Sequence, residues 1–145
     1  MKCSYQRVIV AAAVIVLCVF LLLAAPARKT RQKEAVFRTV TKNLELLLAD
    51  IDANTFDHSR KLHLVDKVRV SPHFIEYSCG GYGFGPATSY YGFYYSPSDA
   101  MDLIWCAGTP LNKDGDGYSF EEKDGDNRYY TEHIADHFYY YEASF

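Results

Sequence analysis

The segment Cys79–Pro97, CGGYGFGPATSYYGFYYSP, restricts the possible fold of this chain more than any other part of the sequence. Its second half is dense in tyrosine and phenylalanine, which favour pleated, half-buried surfaces, and it therefore predicts a β-strand. Because side chains alternate across a strand, Tyr90 and Tyr94 would share one face while Tyr91 and Tyr95 share the other. The preceding glycines permit the turn conformations of a wide connection between strands, so we expect a β-hairpin.

Tyrosine is concentrated in the C-terminal half, where twelve of the thirteen tyrosines lie between Tyr77 and Tyr141. One face of the aromatic strand can form a core, whereas the other would carry tyrosines into solvent. Exposed tyrosine suits binding because it combines a rigid surface with a polar tip; the alternative is that the tyrosines only complete a small sheet. The candidate binding residues are Tyr82, Tyr90, Tyr91, Tyr94 and Tyr95.

The glycines at positions 80, 81, 83 and 85 superficially suggest a phosphate-binding loop. No lysine follows them, Pro86 and aromatic residues stand where a helix should begin, and the next predicted element is a strand. A hydrolase with Glu76 or Glu132 as base is conceivable, but no nucleophile is paired with a base at a recognisable spacing. We therefore expect no catalytic residues and no enzymatic activity.

Two segments come near the spacing of metal ligands. Asn112–Gly117 matches the first positions of a calcium loop, but the twelfth position is Lys123 rather than a bidentate glutamate. His133 and His137 are four residues apart, which would suit ligands on a helix, whereas the surrounding aromatic residues favour a strand or hairpin. We expect neither a metal nor a cofactor.

The run Val8–Ala25 contains no charge and no polar group beyond Cys18. As a helix with a rise of about 1.5 Å per residue it would reach roughly 27 Å, close to the thickness of a thinner hydrocarbon core. This predicts a single-pass membrane anchor. The stretch Ala25–Ala27 resembles a small-x-small cleavage site, so a cleaved signal peptide is the alternative, and a soluble core helix is a third reading.

Charge is distributed unevenly along the chain. Residues 1–69 carry twelve Lys and Arg against six Asp and Glu, whereas residues 70–145 carry three against twelve. The acidic distal half excludes nucleic acid as a partner, because nucleic-acid affinity depends on basic groups that neutralise phosphates. Basic residues after the apolar run favour a cytoplasmic location for the C-terminal domain. Long C-terminal domains, however, are translocated across the membrane largely regardless of charge. We expect an extracytoplasmic domain on a cell membrane, with the lipid bilayer and a protein or other cell-envelope component as partners.

These observations predict three parts in the chain: an anchor or signal peptide over residues 1–27, a basic connector over 28–33 and a small domain over 34–145. Apolar residues recur at steps of three and four from Phe37 to Ile51 and predict an amphipathic helix ending near Asn54. The predicted strands are 62–70, 72–79, Ser89–Ser96, 117–122, Tyr129–Ile134 and His137–Phe145; residues 100–106 fit either a strand or a helical turn. The predicted fold class is α+β: an N-terminal membrane helix, then one amphipathic helix packed on an antiparallel sheet of about five or six strands.

Two cysteines, Cys79 and Cys106, fall inside the predicted domain. Outside the cytoplasm such a pair can form a disulfide, which here would close the glycine-aromatic hairpin. The alternative is two independent buried thiols.

A hydrophobic helix followed by an α+β head resembles the architecture of type IV pilins and pseudopilins, although MKCSYQRVIV lacks their glycine-aromatic-glutamate leader motif. A closer resemblance is carried by SYYGFYYSP, DGDNRYYTE and FYYYEASF. These segments resemble small membrane-associated bacterial proteins of the gut Firmicutes type, which share a hydrophobic N-terminus and a Tyr-rich C-terminal domain. The resemblance covers roughly residues 75–145. It implies a bacterial, membrane-associated protein, and it does not point to any particular activity.

Taken together, these patterns predict a membrane-anchored, extracytoplasmic binding or interaction domain. A pilin-like or envelope structural subunit is one alternative, and a small metal- or carboxylate-dependent enzyme is another.

Overall fold

The computed structural model describes residues 28–84, 87–102, 104 and 106–145. The predicted membrane segment Val8–Ala25 lies outside the described residues. No helix in the described part of the chain is both long and apolar enough to cross a membrane. Residues Ala35–Phe145 form one compact unit, and the packing described below is that of this unit.

In the part of the chain that the structure describes, two α-helices are followed by an antiparallel sheet. Helix α1 comprises the helical residues 28–42, helix α2 is Leu44–Asp52, and a short 3₁₀ turn occupies Ser59–Lys61. The seven strands are β1 (Lys67–Val70), β2 (Ile75–Phe84), β3 (Ala87–Tyr95), β4 (Asn112–Asp114), β5 (Gly117–Glu121), β6 (Arg128–Ala135) and β7 (Phe138–Ser144). Their order across the sheet is β1-β2-β3-β7-β6-β5-β4, and every neighbouring pair is antiparallel.

The predicted fold class was wrong in its element count and in its balance of helix and strand. The described residues of the domain form two helices rather than one and seven strands rather than five or six, and they are mostly β. The helix is interrupted at Asn43, whose backbone leaves the helical region and whose side-chain amide donates to the carbonyl of Thr39 at 2.8 Å. Polar side chains of this length compete with the helix for backbone hydrogen bonds, which explains the break. The basic residues 28–33, predicted as a connector, are helical.

The strand missing from the prediction is β4. Its three residues are polar and exposed, so it has none of the apolar alternation by which strands are recognised. It forms because the chain reverses through Gly115 (φ 55°) and pairs Asp114 with Gly117. The segment predicted as a polar turn is therefore the hairpin between β4 and β5.

Two meanders make up the sheet. Strands β1–β3 form one and β4–β7 form the other, and antiparallel pairing of β3 with β7 joins them at the centre. The connection between the meanders, residues 96–111, contributes Met101, Ile104, Cys106 and Leu111 to a cluster of buried side chains on the sheet. We call this side of the sheet the connection face, and the side that packs on the helices the helix face.

On the helix face, aliphatic residues of the helices meet aromatic residues of the strands. Val36, Val40 and Leu47 are fully buried in one cluster with Tyr77 and Phe93. The rings of Tyr77 and Phe93 stack with centroids 4.5 Å apart. This packing confirms that the apolar stripe of the predicted helix is a core face.

The glycine-rich segment forms the predicted hairpin, but strand β2 runs further into it than expected. Pairing of β2 with β3 continues to Phe84 opposite Ala87, with an irregularity between Ser78 and Gly80. Gly83 has a φ of 127°, and a Cβ there would lie 2.0 Å from the carbonyl oxygen of Ala87. Only glycine fits such a close approach of the two strands.

Candidate functional site

The five tyrosines predicted to bind a partner do not form one surface. Tyr94 is fully buried on the connection face, where its hydroxyl donates to the carbonyl of Met101 at 2.8 Å. Tyr91 and Tyr95 lie half-buried against the helix-face core. The alternation of tyrosines along β3 predicted one exposed face. Along most of β3 that face is not exposed, because the connection of residues 96–111 covers it.

Tyr82 and Tyr90 occupy the other end of the β2–β3 hairpin. Tyr82 is half-buried, and its hydroxyl donates to a carboxylate oxygen of Glu142 at 2.5 Å. Tyr90 is 42% exposed; among the described residues, the only other large hydrophobic side chain that is exposed is Val70. Of the five candidates, Tyr90 is the one that presents its ring to solvent.

Tyr90 lines an open pocket of about 180 Å³ on the connection face. Its walls come from alternate residues of neighbouring strands: Lys67 is opposite Ser78 and Arg69 is opposite Glu76 across the β1–β2 pair. We call this site the corner pocket. Its residues are Lys67, Arg69, Glu76, Ser78, Tyr90 and Tyr141.

Glu76 is the buried centre of the corner pocket. Its side chain is engaged at both oxygens: Arg69 Nε lies 2.7 Å from Oε2, and the Tyr141 hydroxyl donates to Oε1 at 2.6 Å. Burial raises the pKa of Tyr141, and the neighbouring Glu76 carboxylate raises it further, so this hydroxyl keeps its proton as the donor. The carboxylate considered as a general base is thus held in a fixed ion pair and hydrogen bond.

Gly92 on β3 makes room for this arrangement. It lies opposite Ser78 on β2 and Tyr141 on β7. A Cβ at Gly92 would come within 2.3 Å of the carbonyl oxygen of Tyr77 and 3.0 Å of the Tyr141 ring. The absence of a side chain therefore lets the Tyr141 ring lie across the strand and bring its hydroxyl to Glu76.

Lys67 and Arg69 give the corner pocket its charge. Lys67 is exposed, and no carboxylate in the described part of the chain forms an ion pair with it. The Arg69 side chain is 49% exposed even though its Nε contacts Glu76. Two cations and one carboxylate leave a net charge of one positive in the pocket.

Sequence reasoning did not identify Lys67, Arg69 or Tyr141 as site residues. A signal was present for the first two, because they alternate on a predicted strand and so share a face. Tyr141 carries no such signal. It reaches the pocket through the pairing of β7 with β3, which joins residues about fifty positions apart in the chain.

The two cysteines lie on opposite sides of the sheet and are free thiols in this structure. Cys79 belongs to the helix-face cluster and Cys106 to the connection-face cluster. Burial raises the pKa of Cys106 to about 11 and raises that of Cys79 as well. Both are therefore protonated, unreactive thiols at neutral pH.

The other candidate ligands contact neighbouring groups of the domain and do not converge on one site. His133 Nε2 lies 2.7 Å from the carbonyl oxygen of Asp136, and His137 Nδ1 lies 3.4 Å from Asp99. Glu132 accepts a hydrogen bond from Tyr130 at 2.5 Å. Within the described ranges, no group of three or more His, Cys, Asp or Glu side chains is arranged to hold a metal ion.

The corner pocket is therefore the place where an exposed aromatic ring, two cations and a buried carboxylate meet. Comparison of the chain with protein-family models, with curated proteins and with solved structures finds no match in any of the three.

Proposed function

We propose that this domain is a binding module and that it contacts a protein partner through the corner pocket. The observation that carries the proposal is the position of Tyr90, an exposed ring at the edge of a pocket lined by charged groups. Tyrosine and arginine, together with tryptophan, are the side chains that most often dominate binding energy at protein interfaces. Tyr90 and Arg69 supply both at one site.

The fixed positions of the side chains in the pocket also support partner binding. Glu76 and Tyr141 hold each other and Arg69 in place through short polar contacts, so the guanidinium does not need to be ordered when a partner arrives. Binding costs less free energy when the contacting groups are already fixed. Tyr90 lies with its ring centroid 6.2 Å from that of Phe145, which limits its movement.

From the predicted membrane anchor at Val8–Ala25 we propose that this module lies at a membrane, and we propose further that the domain is outside the cytoplasm. In that setting the partner is a protein segment of the cell envelope. This location is part of the proposal and derives from the sequence alone.

A peptide selection tests the proposed function. The full chain, purified in mild detergent and immobilised, is exposed to a display library of random linear peptides, and enriched peptides are measured individually. We expect enriched peptides to lose about tenfold or more in affinity for Tyr90→Ala, as for the loss of an aromatic hot spot.

The matched control is Tyr118→Ala, which removes a partly exposed tyrosine from the same face at the other end of the sheet, where Lys113 lies over its ring at 4.6 Å. Affinity should be unchanged in this variant. The proposal fails if no peptide is enriched, or if the enriched peptides bind Tyr90→Ala as well as they bind the wild type.

A further inference from the structure

We infer that the corner pocket takes a carboxylate group of its partner, held between the Lys67 ammonium and the open edge of the Arg69 guanidinium. This inference rests on the proposed function, because it names the chemical class of ligand for the same site. The argument depends on which hydrogen-bonding groups remain open, on the charge of the pocket and on its size.

The charged donors of the pocket remain open, whereas its one carboxylate is already engaged. Both oxygens of Glu76 already accept a contact, from Arg69 and from Tyr141. Arg69 uses Nε for Glu76, and a guanidinium has further N–H groups on its terminal nitrogens. Lys67 adds three ammonium donors, and Tyr90 adds a hydroxyl at the rim. A ligand that fits these groups must therefore bring acceptors.

Charge points to an anion with a single negative charge. Lys67 and Arg69 exceed Glu76 by one positive charge, so one negative charge is neutralised on binding. A phosphate ester carries about 1.5 to 2 negative charges at neutral pH. Its excess charge would lie beside the buried Glu76 carboxylate, which disfavours it. A carboxylate matches both the net charge and the planar fork of arginine.

Size supports the same class of ligand. A pocket of about 180 Å³ accommodates a small group or one side chain, and it is smaller than the cavities of roughly 300 to 1,000 Å³ that enclose drug-sized molecules. The carboxylate then belongs to a larger chain whose remainder stays outside. Tyr90, at the rim, contacts the part of that chain next to the carboxylate.

Two sources supply a peptide carboxylate: an Asp or Glu side chain and a free C-terminus. Three N-acetylated pentapeptides separate them. The first is Thr-Val-Glu-Val-Thr amide, the second is the neutral Thr-Val-Gln-Val-Thr amide, and the third is Thr-Val-Gln-Val-Thr with a free C-terminal carboxylate. Affinity of the full chain for each is measured by fluorescence anisotropy of a labelled peptide at low and high salt.

We expect at least one of the two charged peptides to bind about tenfold more tightly than the neutral amide, because hydrogen bonds to charged groups are worth that factor or more. The preferred charged peptide identifies the source of the carboxylate. The advantage should shrink as salt is added, since Lys67 and Arg69 are solvent-accessible. The inference is overturned if the neutral amide binds as tightly as both charged peptides.

Lys67→Gln is the informative variant, because it leaves the Arg69–Glu76 pair intact. We expect the charged peptide to lose about threefold to tenfold in affinity, while the neutral peptide is unaffected. Arg69→Gln should lose more, but it also leaves Glu76 buried without its cation and can unfold the site. Arg128→Gln is the control: Arg128 also pairs with a glutamate, Glu121, at 2.8 Å, but on strands β6 and β5.

Failure of the inference can be told apart from failure of the proposed function. One outcome is that the charged peptides bind no more tightly than the neutral amide, or fail to bind at millimolar concentration, while library-selected peptides still require Tyr90. In either case the proposed function stands and the carboxylate assignment is wrong. If no peptide of either kind depends on Tyr90, both are wrong. An unchanged preference in Lys67→Gln also contradicts the assignment.

Discussion

The two faces of the sheet are both rich in tyrosine, yet their side chains are held in different ways. On the helix face, Tyr77 stacks on Phe93 beneath aliphatic helix residues, and its buried hydroxyl makes no hydrogen bond of acceptable geometry in the described part of the chain. On the connection face, the hydroxyls of Tyr94, Tyr139 and Tyr141 each have a hydrogen-bond partner. The helix face is a packed core around Tyr77 and Phe93, with a polar contact at Tyr130, which donates to Glu132, whereas these three connection-face tyrosines are polar anchors.

The difference follows from what covers each face. Helices expose side chains to the sheet and keep their own backbone groups paired, so apolar packing dominates there. An irregular connection brings unpaired carbonyl groups instead, and Tyr94 and Tyr129 both donate to the Met101 carbonyl oxygen. Tyrosine suits this cover because one side chain supplies both a buried ring and a donor for the backbone.

The largest effect is expected when the packed core is broken by Phe93→Ala. Phe93 is fully buried, and its removal leaves a cavity beside Tyr77, so the free energy of unfolding should fall by about 3–5 kcal/mol. Urea denaturation of the full chain, followed by near-ultraviolet circular dichroism, measures the change. Phe120→Ala, which truncates a half-buried ring on the connection face, should cost clearly less. Equal losses would contradict the tighter packing of the helix-face core around Phe93.

Asp50→Asn tests the one buried carboxylate of helix α2. Asp50 accepts hydrogen bonds from the Ser59 hydroxyl at 2.6 Å, from the Ser59 amide at 2.8 Å and from His58 Nδ1 at 2.8 Å. Burial by itself raises the pKa of Asp50, but these contacts outweigh it and leave the pKa below its usual value. The substitution should lower the free energy of unfolding by about 2–3 kcal/mol at neutral pH.

The pH dependence has a definite sign. Because the pKa of Asp50 is lower in the folded state, its contribution is fully present above the unfolded value of about 3.9 and is lost as pH falls through the folded value. Unfolding measured down the acid range should show this loss in the wild type and not in Asp50→Asn. The exposed Asp52→Asn on the same helix is the control and should retain it. The same acid dependence in both variants would contradict the assignment.

Tyr94→Phe removes one polar anchor while the ring remains. The variant leaves the carbonyl of Met101 and the hydroxyl of Thr131 without this partner, so stability should fall by about 1–2 kcal/mol. Thermal unfolding of the full chain measures the change. A loss below the error of the measurement would mean that the connection is held by packing alone.

Tyr77→Phe is the matched substitution on the other face and should have the smallest effect. Its hydroxyl lies near Ser59 and Asp50 without a well-formed hydrogen bond, so removing it should leave stability within about 0.5 kcal/mol of the wild type or raise it. The same thermal measurement applies. A loss as large as that of Tyr94→Phe would show that the hydroxyls of Tyr77 and Tyr94 contribute equally to stability, which would contradict the contrast between them.

Much of the local structure could be predicted from the sequence. The alternation around Phe93 predicted β3, the apolar stripe from Phe37 to Ile51 predicted the helix face, and the tyrosine-rich C-terminal segments predicted β6 and β7. Each of these signals is local, because it depends only on the spacing of side chains along one element.

The errors arose where local pattern does not decide the outcome. The break at Asn43 depends on one side-chain hydrogen bond, and β4 forms from exposed polar residues through backbone pairing. Burial of Tyr94 depends on where residues 96–111 cross the sheet, which no periodicity reveals. The corner pocket needs the register of β1, β2, β3 and β7 together, so only Tyr90 among its residues was identified from the sequence as a binding candidate.

The position of strand β7 has a consequence for how the chain is made. It follows every other strand in sequence, yet it lies at the centre of the sheet between β3 and β6. During synthesis the aromatic edge of β3 in the first meander therefore stays unpaired until β7 is made. An unpaired edge of this kind pairs readily with other chains. Because the closing contacts join distant parts of the chain, folding should be slow and should finish only after β7 has left the ribosome.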